Sequence, residues 1–382
     1  MTTPGHSPHR RALSRWGTVH RWLGLALGLW FALVGLTGTL LVWRDEVDAW
    51  LNPQLFSAGP LPAAPLPIAA WVDGARAGLS LGPVERVRLP AQDGGPVRLQ
   101  FRTAQGRVES ARVEVFVDPA SAKVLGQRAL EGWSLAPPHA VRTIYEFHRN
   151  LLFGEPGSNF VGVAGLLLMT SAITGAVLAW PRSRERLRKL LSVSWHANGA
   201  RVALDLHRST GVIVVIVLLL ATATGFTLVY VNVVRGLVDH VSRVEPIPVL
   251  PFRSVAAGQA LLTIDELVER ARAAHPDRQI REVRLSERGL TGMQFQLHAP
   301  GDVHRQGDTI VWLHPVTGEA LAERSDRTRS GGETFMHWLL PLHVGTAFGS
   351  PGRAAMAIGG GAPTVLVVTG LVLWWRKRRA GH

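Results

Sequence analysis

Two segments far apart in the chain place a histidine ahead of the same Phe-Gly-x-Pro-Gly break: FHRNLLFGEPG at 147–157 and LHVGTAFGSPG at 342–352. A second pair, HRWLG at 20–24 and HRSTG at 207–211, places a histidine at the head of a long apolar run. Neutral imidazole ligates a metal through one ring nitrogen while a hydrogen bond to the other fixes the ring. If His20 meets His207 and His148 meets His343, each pair offers two imidazoles from opposite sides. That is the axial set of a six-coordinate b-type haem, whose porphyrin supplies four further nitrogens. Iron with both axial positions filled does not readily bind oxygen or substrate, and its work is to pass single electrons. Arg21, Arg149 and Arg208 each follow one of these histidines, where a guanidinium can pair with a haem propionate or equally with lipid phosphate.

Four apolar stretches, near Val19 to Trp43, Phe160 to Trp180, Gly211 to Val234 and Ala354 to Trp375, carry these histidines at or just before their ends. Each reaches the roughly 20 residues that a helix needs to cross a bilayer. The first runs straight into WRDEVDAWLNP without a clear small-residue cleavage site, so it is expected to remain as an anchor. Basic residues flank the spans at Arg10, Arg11, Arg15 and Arg21, in RSRERLRK at 182–189 and in RKRR at 376–379. The positive-inside rule then puts both termini and the middle loop in the cytoplasm of an inner-membrane protein. His20 and His207 form an inner layer in this topology, and His148 and His343 an outer one.

The chain reads as a duplication. IAAWVDGARA at 68–77 leads to VRL at 87–89, and IDELVERARA at 264–273 leads to VRL at 283–285, both 196 positions on. The same offset brings VDPASAKVLG at 117–126 onto LHPVTGEALA at 313–322, each an apolar strand entering an x-Pro turn. Eighteen residues after His20 and after His207 stand Gly38 and Gly225, in TGTLLVW and TGFTLVY. Twenty-seven after His148 and His343 stand Gly175 and Gly370, in TGAVLAW and TGLVLWW. The expected fold is an α-helical integral membrane protein with four transmembrane helices in two parallel internal repeats, plus two small α+β periplasmic domains. Its segments are 1–43 (cytoplasmic end and first span), 44–142 (first outer domain), 143–180 (interfacial segment and second span), 181–209 (basic loop), 210–234 (third span), 235–334 (second outer domain) and 335–382 (interfacial segment, fourth span and basic tail). The FGEPG and FGSPG breaks make each outer histidine segment a separate short helix.

His337 lies six residues before His343 and is its rival as a ligand, but in the repeat register it falls on Arg142, which cannot ligate. His9 and His196 sit among cytoplasmic arginines and read as solvated surface. His139, His240, His275, His298, His304 and His314 also read as surface, with a ligand contact left open for His304 and His314. The 382 residues include no cysteine, which excludes disulfides, iron–sulfur clusters and c-type haem attachment. The net charge of +13 sits largely beside the spans, pointing to anionic lipid and not to nucleic acid. The cytoplasmic parts are too short for a nicotinamide or flavin domain and carry no G-x-G-x-x-G, so electrons must come from a separate donor.

The HR motifs and the TG-x-x-L-x-W span ends followed by basic residues resemble the PepSY-associated transmembrane family, and the two outer segments at 44–142 and 235–334, each a helix followed by an x-Pro turned hairpin, resemble PepSY domains; together the resemblance covers nearly the whole chain. In length and layout the chain is similar to that family's FoxB-type haem-containing ferric-siderophore reductases. The resemblance implies electrons taken from an unidentified cytoplasmic donor, carried through two b-type haems, and delivered in the periplasm to Fe(III) in a siderophore of the hydroxamate or a similar oxygen-ligand class, releasing Fe(II). Two other readings are a non-enzymatic membrane-anchored module that binds a peptide, protease or siderophore, and a siderophore transporter. Against the transporter, the four stretches contain no buried acidic residue and few helix breaks.

Overall fold

A computed structural model describes residues 8–59, 65–90, 94–103, 111–181, 183–245, 259–285 and 293–379, with side chains of the first helix described from residue 14. His9, Arg10, Arg11 and Arg182 therefore lie outside the described side chains. The first half runs α1 (Pro8–Val42), α2 (Arg44–Leu51), α3 (Pro53–Phe56), α4 (Ile68–Arg76), β1 (Leu81–Arg88), β2 (Val97–Thr103), β3 (Arg112–Val117), β4 (Val124–Ala129), α5 (Pro137–Asn150) and α6 (Gly154–Ala179). After α7 (Arg184–Leu190) come α8 (Gly199–Val229), α9 (Val231–Asp239), α10 (Ile264–Ala274), β5 (Gln279–Arg284), β6 (Met293–His298), β7 (Thr309–Leu313), β8 (Ala320–Arg324), α11 (Gly331–Val344), a 3-10 turn (Thr346–Phe348) and α12 (Gly349–Arg379). The chain divides into two compact units, one of Met1–Arg44, Thr143–Val234 and Trp338–His382, the other of Asp45–Arg142 and Arg235–His337.

In the first unit α1 packs on α6 and α12, and α8 packs on the same two, closing a four-helix ring. Ser14–Val42, Gly154–Ala179, Gly199–Val229 and Thr346–Arg379 are long and apolar enough to cross a membrane. Their outer faces carry Leu29, Ile213, Ile216 and Ile358, the first at 69 % and Ile216 at 77 % exposure. Such faces are stable in lipid, where apolar exposure has no cost, and the chain is a multi-pass membrane protein. Helix contacts are made through small residues: a Cβ on Gly35 would stand 2.2 Å from the Gly360 carbonyl oxygen, and Thr39 Oγ1 donates to the Ala357 carbonyl at 2.8 Å. The third span starts 12 residues earlier than the hydropathy of the sequence suggests. It thereby includes Asp205, which is buried, paired with Arg201 at 3.0 Å and accepting from the Ser194 N–H.

Both outer histidines lie on helices distinct from the spans that follow. The α5–α6 break passes through Leu151 and Leu152 at φ 54 and 65°, and the α11–α12 break through Gly345 and Gly349 at φ 80 and 60°. After each break the chain folds tightly against the preceding helix end. A Cβ on Gly157 would lie 1.7 Å from the Asn150 carbonyl oxygen, which explains the glycine that closes the repeated motif.

The second unit corrects the expectation of two small domains. It holds one antiparallel sheet of eight strands in the order β4-β3-β2-β1-β5-β6-β7-β8. The edge strands of the two halves meet: Arg86, Val87 and Arg88 pair with Arg284, Val283 and Glu282. Val87 and Val283, 196 positions apart, stand opposite one another at the centre of this antiparallel pairing. One sheet face is apolar and continuous. Trp71, Val72 and Ala75 of α4 and Leu267, Val268 and Ala271 of α10 cover Val87, Leu99, Phe101, Val115, Val283, Phe295, Leu297 and Val311. Each fully buried large side chain here contributes about 1.5–3 kcal/mol of transfer free energy, and the two halves share it. The helices are also tied at their ends, because Asp265 of α10 accepts from the Ile68 and Ala69 N–H groups that open α4, at 2.6 and 3.1 Å.

Candidate functional site

The first unit brings together the two expected histidine pairs. His20 on α1 and His207 on α8 stand with ring centroids 6.1 Å apart. His148 on α5 and His343 on α11 stand 6.3 Å apart. His337, the rival to His343, belongs to the other unit and lies 2.9 Å from Asp308.

One local device holds all four rings. His20 Nδ1 lies 3.0 Å from the Ser171 carbonyl oxygen and 3.3 Å from Thr174 Oγ1. His148 Nδ1 lies 3.0 Å from the Val34 carbonyl and 3.2 Å from Thr37 Oγ1. His343 Nδ1 lies 3.1 Å from the Ala221 carbonyl and 3.0 Å from Thr224 Oγ1. His207 Nδ1 bonds Thr369 Oγ1 at 3.0 Å and the backbone of Leu366. In every case the carbonyl belongs to the residue three before the threonine. A carbonyl only accepts, so Nδ1 carries the proton and Nε2 keeps its lone pair for a metal.

The residue after each threonine is a glycine, and the ring lies against it. A Cβ on Gly175 or Gly38 would stand 3.0 Å from Cε1 of His20 or His148, one on Gly225 3.1 Å from that of His343, and one on Gly370 3.5 Å from that of His207. The TG pairs of the sequence thus serve as ring sockets. Their pairing is crossed within each half, a relation that spacing along one helix does not carry. The TG of α1 seats the histidine of α5, and the TG of α6 seats that of α1; α8 and α12 exchange in the same way with α11 and α8.

Two metal–nitrogen bonds of about 2.0 Å and two ring half-widths of about 1.1 Å span roughly 6.2 Å between centroids. The ring centroids of both pairs, 6.1 and 6.3 Å apart, lie close to that separation. Arg21 lies against the Trp22 ring, Arg149 pairs with Glu146 at 3.2 Å and stands over Tyr145, and Arg208 is exposed. All three stand beside the pairs on the same helices and leave the rings to the Thr-Gly sockets.

Of the outer histidines read as surface, His304 is half-buried against His337, with ring centroids 4.2 Å apart. His314 is taken up by its own turn, its Nδ1 accepting from the Val316 and Thr317 N–H groups at 3.2 Å. A family model described as the PepSY-associated TM region matches residues 18–377. No curated protein matches the chain.

Proposed function

The chain belongs to the PepSY-associated TM family, and from that premise we propose that it is a di-haem transmembrane electron-transfer protein that reduces a ferric siderophore in the periplasm. The observation that carries this reading is the pair of 6.1 and 6.3 Å ring separations, each with both Nδ1 atoms tied and, among the described residues, no hydrogen-bond partner at either Nε2. His20 and His207 hold the inner group, and His148 and His343 the outer one. Haem b bound between such a pair supplies reversible one-electron chemistry at an iron closed to other ligands.

The chain's own residues do three things. Each carbonyl and threonine fixes one ring and, by accepting from Nδ1–H, raises the basicity of Nε2. Each glycine leaves space beside the ring that any side chain would fill. The helices set the reach: Gly38, the seat of the outer ring, lies 18 residues above His20 on α1, about 27 Å at 1.5 Å per residue. The two pairs therefore stand close to the two sides of a hydrocarbon layer about 30 Å thick.

The basic segments at 184–189 and 376–379 support a topology with both termini and the α7 loop in the cytoplasm and residues 45–142 and 235–337 in the periplasm. Electrons enter from a separate cytoplasmic donor. Each one delivered converts an Fe(III) to an Fe(II), which oxygen ligands of the hydroxamate type hold far less tightly. The test is anaerobic: dithionite-reduced protein, freed of excess reductant, is mixed with a ferric hydroxamate siderophore and an Fe(II) chromophoric chelator. Reoxidation of the protein in step with Fe(II) capture is expected, and reduced protein that stays reduced in the presence of the siderophore overturns the reading.

A further inference from the structure

We propose that His304, Asp308 and His337 bind a divalent first-row transition metal ion, at a site separate from the four paired histidines. One donor atom from each of the three residues lies within 4.8 Å of the other two. His337 Nε2 stands 2.9 Å from Asp308 Oδ1, yet without the angles of a hydrogen bond, and it is buried with no hydrogen-bond partner. Orphaned buried ring nitrogens are uncommon. One that approaches a carboxylate oxygen without bonding it is placed to share a third atom with it.

The surroundings hold the donors in place. Asp308 accepts from the Val303 N–H at Oδ2 and from the His304 N–H at Oδ1, both at 3.0 Å. Asp302 Oδ2 accepts from the Ala299 N–H at 2.8 Å and the Asp308 N–H at 2.9 Å, closing the loop between β6 and β7 upon itself. His304 Nε2 donates to the His337 carbonyl oxygen at 2.9 Å, tying the loop to α11.

Two imidazoles and one carboxylate are the donors of Zn(II), Fe(II) and their neighbours, not of Mg(II) or Ca(II), which take oxygen. Three protein ligands leave at least one position open, unlike a closed four-ligand structural site. Arg329 donates to the Asp308 carbonyl, and its charge opposes a cation. Binding must therefore come from imidazole–metal bonds and not from a general negative field. The duplication does not account for the cluster either, since Arg142 stands in the first half where His337 stands in the second.

The inference is independent of the haem reading. The full chain, stripped with chelator and dialysed, is equilibrated with low-micromolar Zn(II), a redox-silent probe counted separately from haem iron by elemental mass spectrometry. About one Zn(II) per chain is expected, unaffected by excess Mg(II) and absent from Asp308→Asn and His304→Ala. Zn(II) is also expected to raise the unfolding temperature of the wild type and leave that of Asp308→Asn unchanged. Asp308→Asn keeps the size of the side chain, and an unchanged metal-free melting curve establishes that it is folded. Wild-type protein that retains no zinc overturns the proposal, as does equal retention by folded Asp308→Asn, which would place the metal elsewhere.

Discussion

Each of the four paired histidines is held from another helix, by a carbonyl, a threonine and a glycine within five residues. The glycine is the sharpest test. Gly175 touches the His20 ring, while Gly165 on the same helix has nothing within 4 Å of where a Cβ would be. Gly175→Val is expected to displace His20 and halve the haem content, and Gly165→Val to leave it whole, as read from haem per protein. Full haem content in Gly175→Val would show that the ring does not need its seat. Thr174→Val removes the side-chain bond to His20 but keeps the Ser171 carbonyl. A loss of about 10-fold in affinity at the inner site is expected, at the low end for outer-shell partners, and haem-transfer kinetics to an apo-globin measure it. At this scale the sequence displayed the four histidines and the four TG pairs. It did not display which TG seats which ring, because the crossing depends on how α1 packs on α6 and α8 on α12. The cluster of His304, Asp308 and His337 was hidden for a related reason: its third member lies 29 positions beyond the second, and only the return of α11 to the β6–β7 loop joins them.

At the scale of elements, the seam between β1 and β5 concentrates charge. Arg86 faces Arg284 across it, and Glu282, only 1 % exposed, pairs with Arg88 at 2.9 Å and with both of the others. Burial works to raise the Glu282 carboxyl, but Arg88, Arg284 and Arg86 together hold it below the usual carboxylate range. A depressed folded-state pKa means that its stabilisation is complete above the ordinary carboxylate pKa and is lost as pH falls through the lower, folded-state value. Glu282→Gln is expected to cost the sheet unit about 3 kcal/mol at pH 7, as for breaking a buried pair, and less and less as the medium is acidified. Thermal unfolding followed by sheet circular dichroism from pH 7 to pH 3 checks this; a constant difference across that range would contradict it. In the same unit, Asp265→Ala removes the cap on α4 and should cost about 1 kcal/mol. Faster hydrogen exchange at the Ile68 and Ala69 amides is its signature. The strands themselves were readable from alternation, as in Val97, Leu99 and Phe101 facing the core. Their union into one sheet was not, since arginines at 86 and 88 look like the charges that guard a free edge. Only Glu282, from the opposite half, turns that edge into a seam.

For the whole molecule, the presence of two distinct histidine pairs predicts that His20 with His207 and His148 with His343 act as separate binding sites. His20→Ala or His207→Ala is expected to leave one haem per chain, held by His148 and His343, and His343→Ala to leave the other. Retention of both haems in any of these would undo the assignment, and His337→Ala with both haems intact would agree with its place beside Asp308. The measurement that bears most directly on the account is the optical spectrum of the purified full chain, as isolated and after dithionite, with haem counted as its pyridine derivative. Low-spin b-type bands and about two haems per chain are expected, one for each histidine pair. A colourless protein after expression with ample haem, or a high-spin spectrum showing an open axial position, would contradict it.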